Sequence, residues 1–305
     1  NGQKQTSYVE VPVGKSVGRS NETSAIEQCV LEAQSLHQKQ MSRKGYTETI
    51  PTAVPNLPML AQKFCDYSHK IKYPASVSPK INGIRLIITV KDGVVTTTTR
   101  TKKEMMFLDH ITNELLALGK DFVLDGEIYH DDLELEEINH VVRKQKVMNP
   151  KMPEMYYFAF DLINDKTYHQ RALELDILVA DLKNTKTVPW HIIKNEAEIH
   201  KYHKQFIDQK FEGTIIRNLD SFYQHNHRSS DLIKMKDFID DEFEIIGWTI
   251  GKGKSATIPT FEFKMVDGKT FEAVPNGTAE IRAEYLRNAK DLVGKMATVK
   301  FFKYT

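Results

Sequence analysis

From Met59 onward the chain alternates short apolar runs with longer segments of helical period. The runs "RLIITV", "DFVLDGEIY", "MYYFAFDLI", "EGTIIRN" and "DLIKMK" are rich in Val, Ile, Phe and Tyr, side chains that suit a pleated, half-buried surface. They predict strands. Between them, "EMMFLDHITNELLALGK" and "LEEINHVVRKQK" repeat apolar residues every three or four positions, which predicts helices packed on those strands. After Lys236 the texture becomes short alternating segments, "DEFEIIGWTIG", "PTFEFKMVDGKTFEAV" and "GKMATVKFFKYT", with Asp267-Gly268 as a hairpin turn. This last portion is expected to be a small β-barrel.

The start of the chain reads differently. "SYVEVPV" alternates as a strand does, and "SAIEQCVLEAQSLHQKQMSRKGY" has helical period, with Ser24 as N-cap and Gly45 past its end. From Thr49 to Pro58, "TIPTAVPNLP" holds three of the 11 prolines, which disfavours regular structure and marks a linker, with a boundary near Asn56. Three parts follow: 1–56, 57–238 and 239–305. No internal repeat interrupts them.

Charge narrows this picture little. Lys and Arg number 42 against 41 Asp and Glu, so the net charge is +1 and any polyanion site must be a local patch. The two cysteines, Cys29 and Cys65, make neither a CxxC nor a Cys/His cluster, which argues against a disulfide scaffold or a zinc site and for a reducing interior. No apolar stretch approaches the roughly 20 residues that span a bilayer, and "NGQKQTSYVEV" has no signal-peptide core. A soluble, intracellular protein is expected.

Chemistry enters at the strand ends. Lys80, Glu127, Glu212, Lys234 and Lys236 each stand beside otherwise apolar sequence. Taken singly, each is a solvated terminus, but a charge next to a buried run otherwise needs a partner or a ligand. Lys234 and Lys236, one residue apart, share one face of their strand while Met235 points to the other. They read either as a basic edge or as part of an anion site.

In order and spacing these segments resemble the ATP-dependent polynucleotide ligases, the covalent lysyl-AMP enzymes, and specifically the DNA ligases. "SPKINGIR" resembles the nucleophile motif KxDGxR and "TTRTKK" the arginine motif after it; "LDGEIY", "FAFDLI", "EGTIIRN" and "LIKMKDF" resemble the four motifs that follow. The resemblance runs from about Met59 to the end. It implies an α+β fold: an ATP-grasp-like adenylyltransferase domain of antiparallel sheets with flanking helices, then an OB-fold β-barrel, with a small α/β module in front.

The resemblance also implies roles. Lys80 would attack the α-phosphate of ATP, form lysyl-AMP and expel pyrophosphate. A free lysine has a pKa of about 10.4 and must be pushed toward the amine; Lys234 and Lys236 are the cations expected to do so while neutralising the phosphate. Arg85 lies five residues from Lys80, an odd offset, so the turn at Asn82-Gly83 has to return it toward phosphate or ribose. Glu127 would accept from ribose hydroxyls, Phe160 would stack on adenine, and Ser78 would contact adenine. Asp125 and Glu212 would be the Mg2+ neighbours. Arg100 would touch the phosphate of the nick, or else is a solvated hairpin flank. Asn82 stands where the family has Asp, which removes a negative charge beside Lys80.

The first segment resembles a WGR-type module, with Val17 where that family has tryptophan. There Lys39, Arg43 and Lys44 could grip duplex phosphates or simply favour the helix end. The implied whole is a monomer that clamps around nicked duplex DNA, uses ATP and magnesium, and is similar to compact viral and phage ligases. It would work in the cytoplasm of a bacterial host or another DNA-containing compartment. An RNA ligase, an mRNA-capping guanylyltransferase and an inactive DNA-end-binding protein are the alternatives. A basic motif, Arg-x-Pro-Arg-Phe, is expected after "GKMATVKFFKYT"; the sequence stops at Thr305, so self-charging from ATP is expected to lag behind sealing of a pre-adenylylated nick.

Overall fold

The computed structural model describes residues 8, 10–16, 18–44, 57–143, 146–250 and 258–301, with side chains omitted for 38–44. It divides into two compact units, Asn1–Met235 and Lys236–Thr305.

The first unit holds two five-stranded sheets. One runs β1 (Leu60–Lys63), β10 (Arg228–Met235), β9 (Thr214–Asn218), β2 (Ala75–Pro79), β8 (His191–Ile193). The other runs β4 (Val94–Thr99), β3 (Ile84–Lys91), β5 (Phe122–Tyr129), β6 (Tyr156–Leu162), β7 (Thr185–Thr187). Pairing is antiparallel except at two edges, where β1 joins β10 and β7 joins β6 in parallel.

β3 shows why these segments become strands. Leu86, Ile88 and Val90 project into the larger core, and Ile87 between them is also buried, so both faces are covered. Each such side chain contributes about 1.5–3 kcal/mol on burial. Helices α3 (Asp109–Leu116), α4 (Leu135–Val142) and α5 (Tyr168–Val179) cover that core with Ile111, Leu115, Ile138, Val141, Leu175 and Val179. Ile199 of α6 (Glu196–Asp208) joins Val77, Ile193, Ile216 and Ile233 in a second core. The short α2 (Phe64–Tyr67) follows β1. Where strands crowd, glycine is required: a Cβ on Gly126 would stand 2.5 Å from the Phe158 carbonyl oxygen.

Two helices absent from the sequence reading, α5 and α6, carry short polar start signals. Thr167 and Gln170 close a capping box at α5, and the Asn195 side chain accepts from Glu198 N at α6. In the first segment, α1 (Ala25–Lys44) forms where expected: Ser24 Oγ accepts from Glu27 N at 3.3 Å and Glu27 accepts from Ser24 N at 2.8 Å. The strand expected in "SYVEVPV" does not form among its described residues, which are Tyr8 and Glu10–Val13. Val17, Gly45 and the linker to Asn56 lie outside the described residues.

The second unit is an antiparallel sheet in the order β13 (Thr270–Ala273), β12 (Pro259–Lys264), β11 (Ile239–Ile250), β14 (Met296–Phe301). Phe243, Ile245, Phe261 and Phe263 pack on Ala289 of α8 (Ala289–Leu292), and α7 (Ala279–Arg287) precedes it. The Asp267-Gly268 turn closes with Met265 N donating to Lys269 O at 2.8 Å and Gly268 at φ 86°. The expected barrel is corrected in one respect: among the described residues the sheet is open, with β13 and β14 as edges.

Candidate active site

Lys80 follows the last residue of β2, yet the ladder to β9 continues past it. Its N–H donates to Gly213 O at 2.9 Å, and Glu212 N donates to Lys80 O at 3.1 Å. The lysine is therefore held by backbone at a strand end, with its side chain 21% exposed and Nζ against Glu212 Oε2 and 3.3 Å from Ile81 O. The chain then turns at Asn82-Gly83. Gly83 N donates to Glu127 Oε1 at 2.9 Å, and a Cβ on Gly83 would meet the Ile128 carbonyl oxygen at 2.2 Å, so glycine permits this close turn into β3.

That turn places Arg85 beside the lysine despite their odd spacing. Arg85 pairs with Glu127 across β3 and β5, and its guanidinium reaches diagonally to Asp125, two residues along the same face, with Nε 2.9 Å from Oδ1. It also lies over the Phe160 ring, 5.1 Å from the centroid. Asp125 is fully buried and accepts a second donor, the Tyr223 hydroxyl, at 2.6 Å.

Between the two sheets opens a cavity of about 840 Å³. Ser78, Lys80, Arg85, Arg100, Glu127, Phe160 and Lys234 all line it. Eight cationic side chains against two carboxylates make its walls strongly positive, the local patch that a net charge of +1 had hidden. Sequence reasoning missed Arg217, Arg143, Arg228 and Lys103 on the same walls. Arg217 had left a signal, an arginine inside the apolar run "EGTIIRN", where an unpaired charge would be costly.

Burial lowers the Lys80 ammonium below its ordinary pKa; Glu127 pulls it back up and Arg85 pushes it down. Arg85 thus joins the expected Lys234 among the cations that bear on Lys80, since the repulsion between the two lysines is mutual. Lys234 is itself lowered, by burial first and then by Lys80 and Arg228. Burial raises Glu127, against the pull of Lys80, the Gly83 N–H and Arg85.

Other expected residues fall elsewhere. Asp125 does not fit its role as a magnesium neighbour: it is sealed from solvent and engaged by Arg85 and Tyr223. Among the described residues no cluster of three or more His, Cys, Asp or Glu could hold a metal ion. Glu212 is nearly buried and contacts Lys80. Lys236 begins the second unit. Lys39, Arg43 and Lys44 fall within α1, and their side chains lie outside the described residues.

A lysine at a strand end, set in a cationic cavity between two mainly antiparallel sheets, is the arrangement of a nucleotide-handling α+β domain. The ATP dependent DNA ligase domain family matches residues 58–236, and the chain belongs to that family. The DNA ligase of African swine fever virus, isolate Tick/South Africa/Pretoriuskop Pr4/1996, is 27% identical over 282 residues, covering 86% of this chain and 66% of the viral protein. The chain therefore spans slightly under two thirds of the length of these curated viral relatives. Two solved structures share the fold. One, named Pmar-Lig_Pre, superimposes with a TM-score of 0.74 at 19% identity, covering 83% of this chain and 64% of its own. The other, from a structure-function study of Lig E DNA ligases, has a TM-score of 0.68 at 22% identity and covers 83% and 94%. Among the described residues no helix is long and apolar enough to cross a membrane.

Proposed function

We propose that this chain is an ATP-dependent DNA ligase that seals 5′-phosphate/3′-hydroxyl nicks in duplex DNA, with Lys80 as its nucleophile. The observation that carries the reading is a half-buried lysine, depressed toward its amine, on the wall of a cavity of about 840 Å³ that seven other cationic side chains also line. Lys80 Nζ attacks the α-phosphorus of ATP; an N–P bond forms, the bond to pyrophosphate breaks, and a proton leaves the nitrogen. The 5′-phosphate of the nick then takes the AMP from Lys80, and the 3′-hydroxyl displaces AMP to make the phosphodiester.

The lining of the cavity supports a part for each residue. Arg85 and Lys234 face the phosphates as charge develops, Glu127 faces the ribose, and Phe160 and Ser78 frame the base. Arg100, on the same wall, contacts the nick phosphate. Lys39, Arg43 and Lys44 hold duplex phosphates, and the protein works as a monomer closed around DNA. Magnesium accompanies ATP as its counterion.

Incubation with α-labelled ATP or α-labelled GTP, each with magnesium, tests the reading. Covalent label from ATP, lost on addition of nicked duplex as sealed product appears, is expected. Label from GTP would point to a capping enzyme, sealing of RNA nicks alone to an RNA ligase, and no label to a DNA-end-binding protein.

A further inference from the structure

Asp125 and Asp161 face each other as Cα partners on β5 and β6, and both carboxylates are fully buried. Each anchors one arginine of the cavity wall: Asp125 takes Arg85 and Asp161 takes Arg217. The second aspartate also binds another arginine. Arg171, on α5 and 0% exposed, grips Asp161 through Nε at 2.7 Å and Nη2 at 3.1 Å. Its Nη1 donates to Lys166 O at 2.6 Å and Ser221 O at 3.1 Å, which fixes its plane against two loops.

Two guanidinium groups on one carboxylate leave an excess positive charge in a closed interior. Arg171 covers the carboxylate bidentately, so Arg217 reaches it through Nη1 alone and rests over the Tyr168 ring, 4.7 Å from the centroid. A lone Asp161–Arg217 pair would be free to close into a neutral two-pronged bridge and turn the fork away from the cavity. A burial cost of this size is not explained by stability, since apolar residues of similar volume often serve as well or better in such places.

We propose that Arg171 is a positioning residue for the nucleotide site: through the shared Asp161 carboxylate it holds the Arg217 guanidinium toward the nucleotide in the cavity. The proposal rests on the ligase reading above. Its test compares the wild type with Arg171→Met, Arg171→Lys, Arg217→Ala and the Arg171→Met/Arg217→Ala double variant, measuring initial rates of covalent labelling across ATP concentrations. Arg171→Met and Arg217→Ala should each raise KM for ATP roughly tenfold, the scale of one lost charge-assisted hydrogen bond. The double variant should be no worse than Arg217→Ala, because both changes remove the same contact. Arg171→Lys should recover part of the loss, and should carry the comparison if Arg171→Met does not fold. An unchanged KM in the Arg171 variants, or losses that multiply in the double variant, would overturn the proposal while leaving the ligase reading in place. A wild type that takes no label from ATP would overturn both.

Discussion

Replacing Asp125 by asparagine separates an anchor from a metal ligand. The carboxylate accepts from Arg85 and from the Tyr223 hydroxyl, and it has no exposed surface. Asparagine keeps the shape but drops the charge and turns an NH2 group toward a donor. Losing one partner of a buried pair costs about 3–5 kcal/mol, and one charge-assisted bond about 1.5–3 kcal/mol. The Arg85 side chain is 22% exposed, so water recovers part of this and a loss of about 3 kcal/mol is expected. For a domain of this size that is a fall in Tm of roughly 6–12 °C. Released from its anchor, Arg85 should also serve the phosphates less well, raising KM for ATP. Labelling rates titrated against magnesium decide between the roles. An anchor leaves the half-saturating magnesium concentration where it was. A marked rise in that concentration, with excess metal restoring the rate, would refute the reasoning and return Asp125 to the metal.

Further expectations concern pH and DNA. Lys80 attacks as the amine, so labelling should rise with pH and level off below the ordinary lysine value of 10.5; Arg85→Gln removes a depressing cation and should move that inflection upward, whereas an unmoved inflection would discount Arg85 as the cause. Because the folded-state pKa of Glu127 is raised, its contribution favours folding below the ordinary value of 4.5 and is lost as pH rises through the folded value. Glu127→Gln should therefore gain stability over the wild type across that window and match it at lower pH; a pH-independent difference in urea midpoints would contradict this. Exchanging Lys39, Arg43 and Lys44 together for alanine should weaken duplex binding and flatten its salt dependence, and an unchanged slope would place them in an ordinary helix end.

Strands were legible because their signal is local. "RLIITV" and "DFVLDGEIY" carry β-branched residues on both faces, and both became central strands, β3 and β5. Helix α5 was hidden because Arg171 breaks its apolar stripe, and that arginine is buried only because Asp161 waits for it on another element. Long-range pairing of this kind leaves little trace in one-dimensional order. For the same reason the two lysines at 234 and 236 looked like one feature by spacing, whereas the strand ends at Met235 and the unit boundary falls between them. Asp125 shows the same effect: a carboxylate in "LDGEIY" reads as a ligand, and its partners Arg85 and Tyr223 come from other elements. The turn from Lys80 to Arg85 could be read ahead, since Asn-Gly between a strand end and a β-prone run asks for a reversal.

Lys80 is the residue on which everything else depends. After incubation with ATP and magnesium, peptide mass spectrometry should find one AMP group, on the peptide containing Lys80 and attached through nitrogen. Lys80→Ala, which changes a strand end without opening a core, should still unfold cooperatively, at a Tm lowered by loss of the ion pair to Glu212, and carry no AMP. An adduct on any other lysine, or one that persists in Lys80→Ala, would contradict the account.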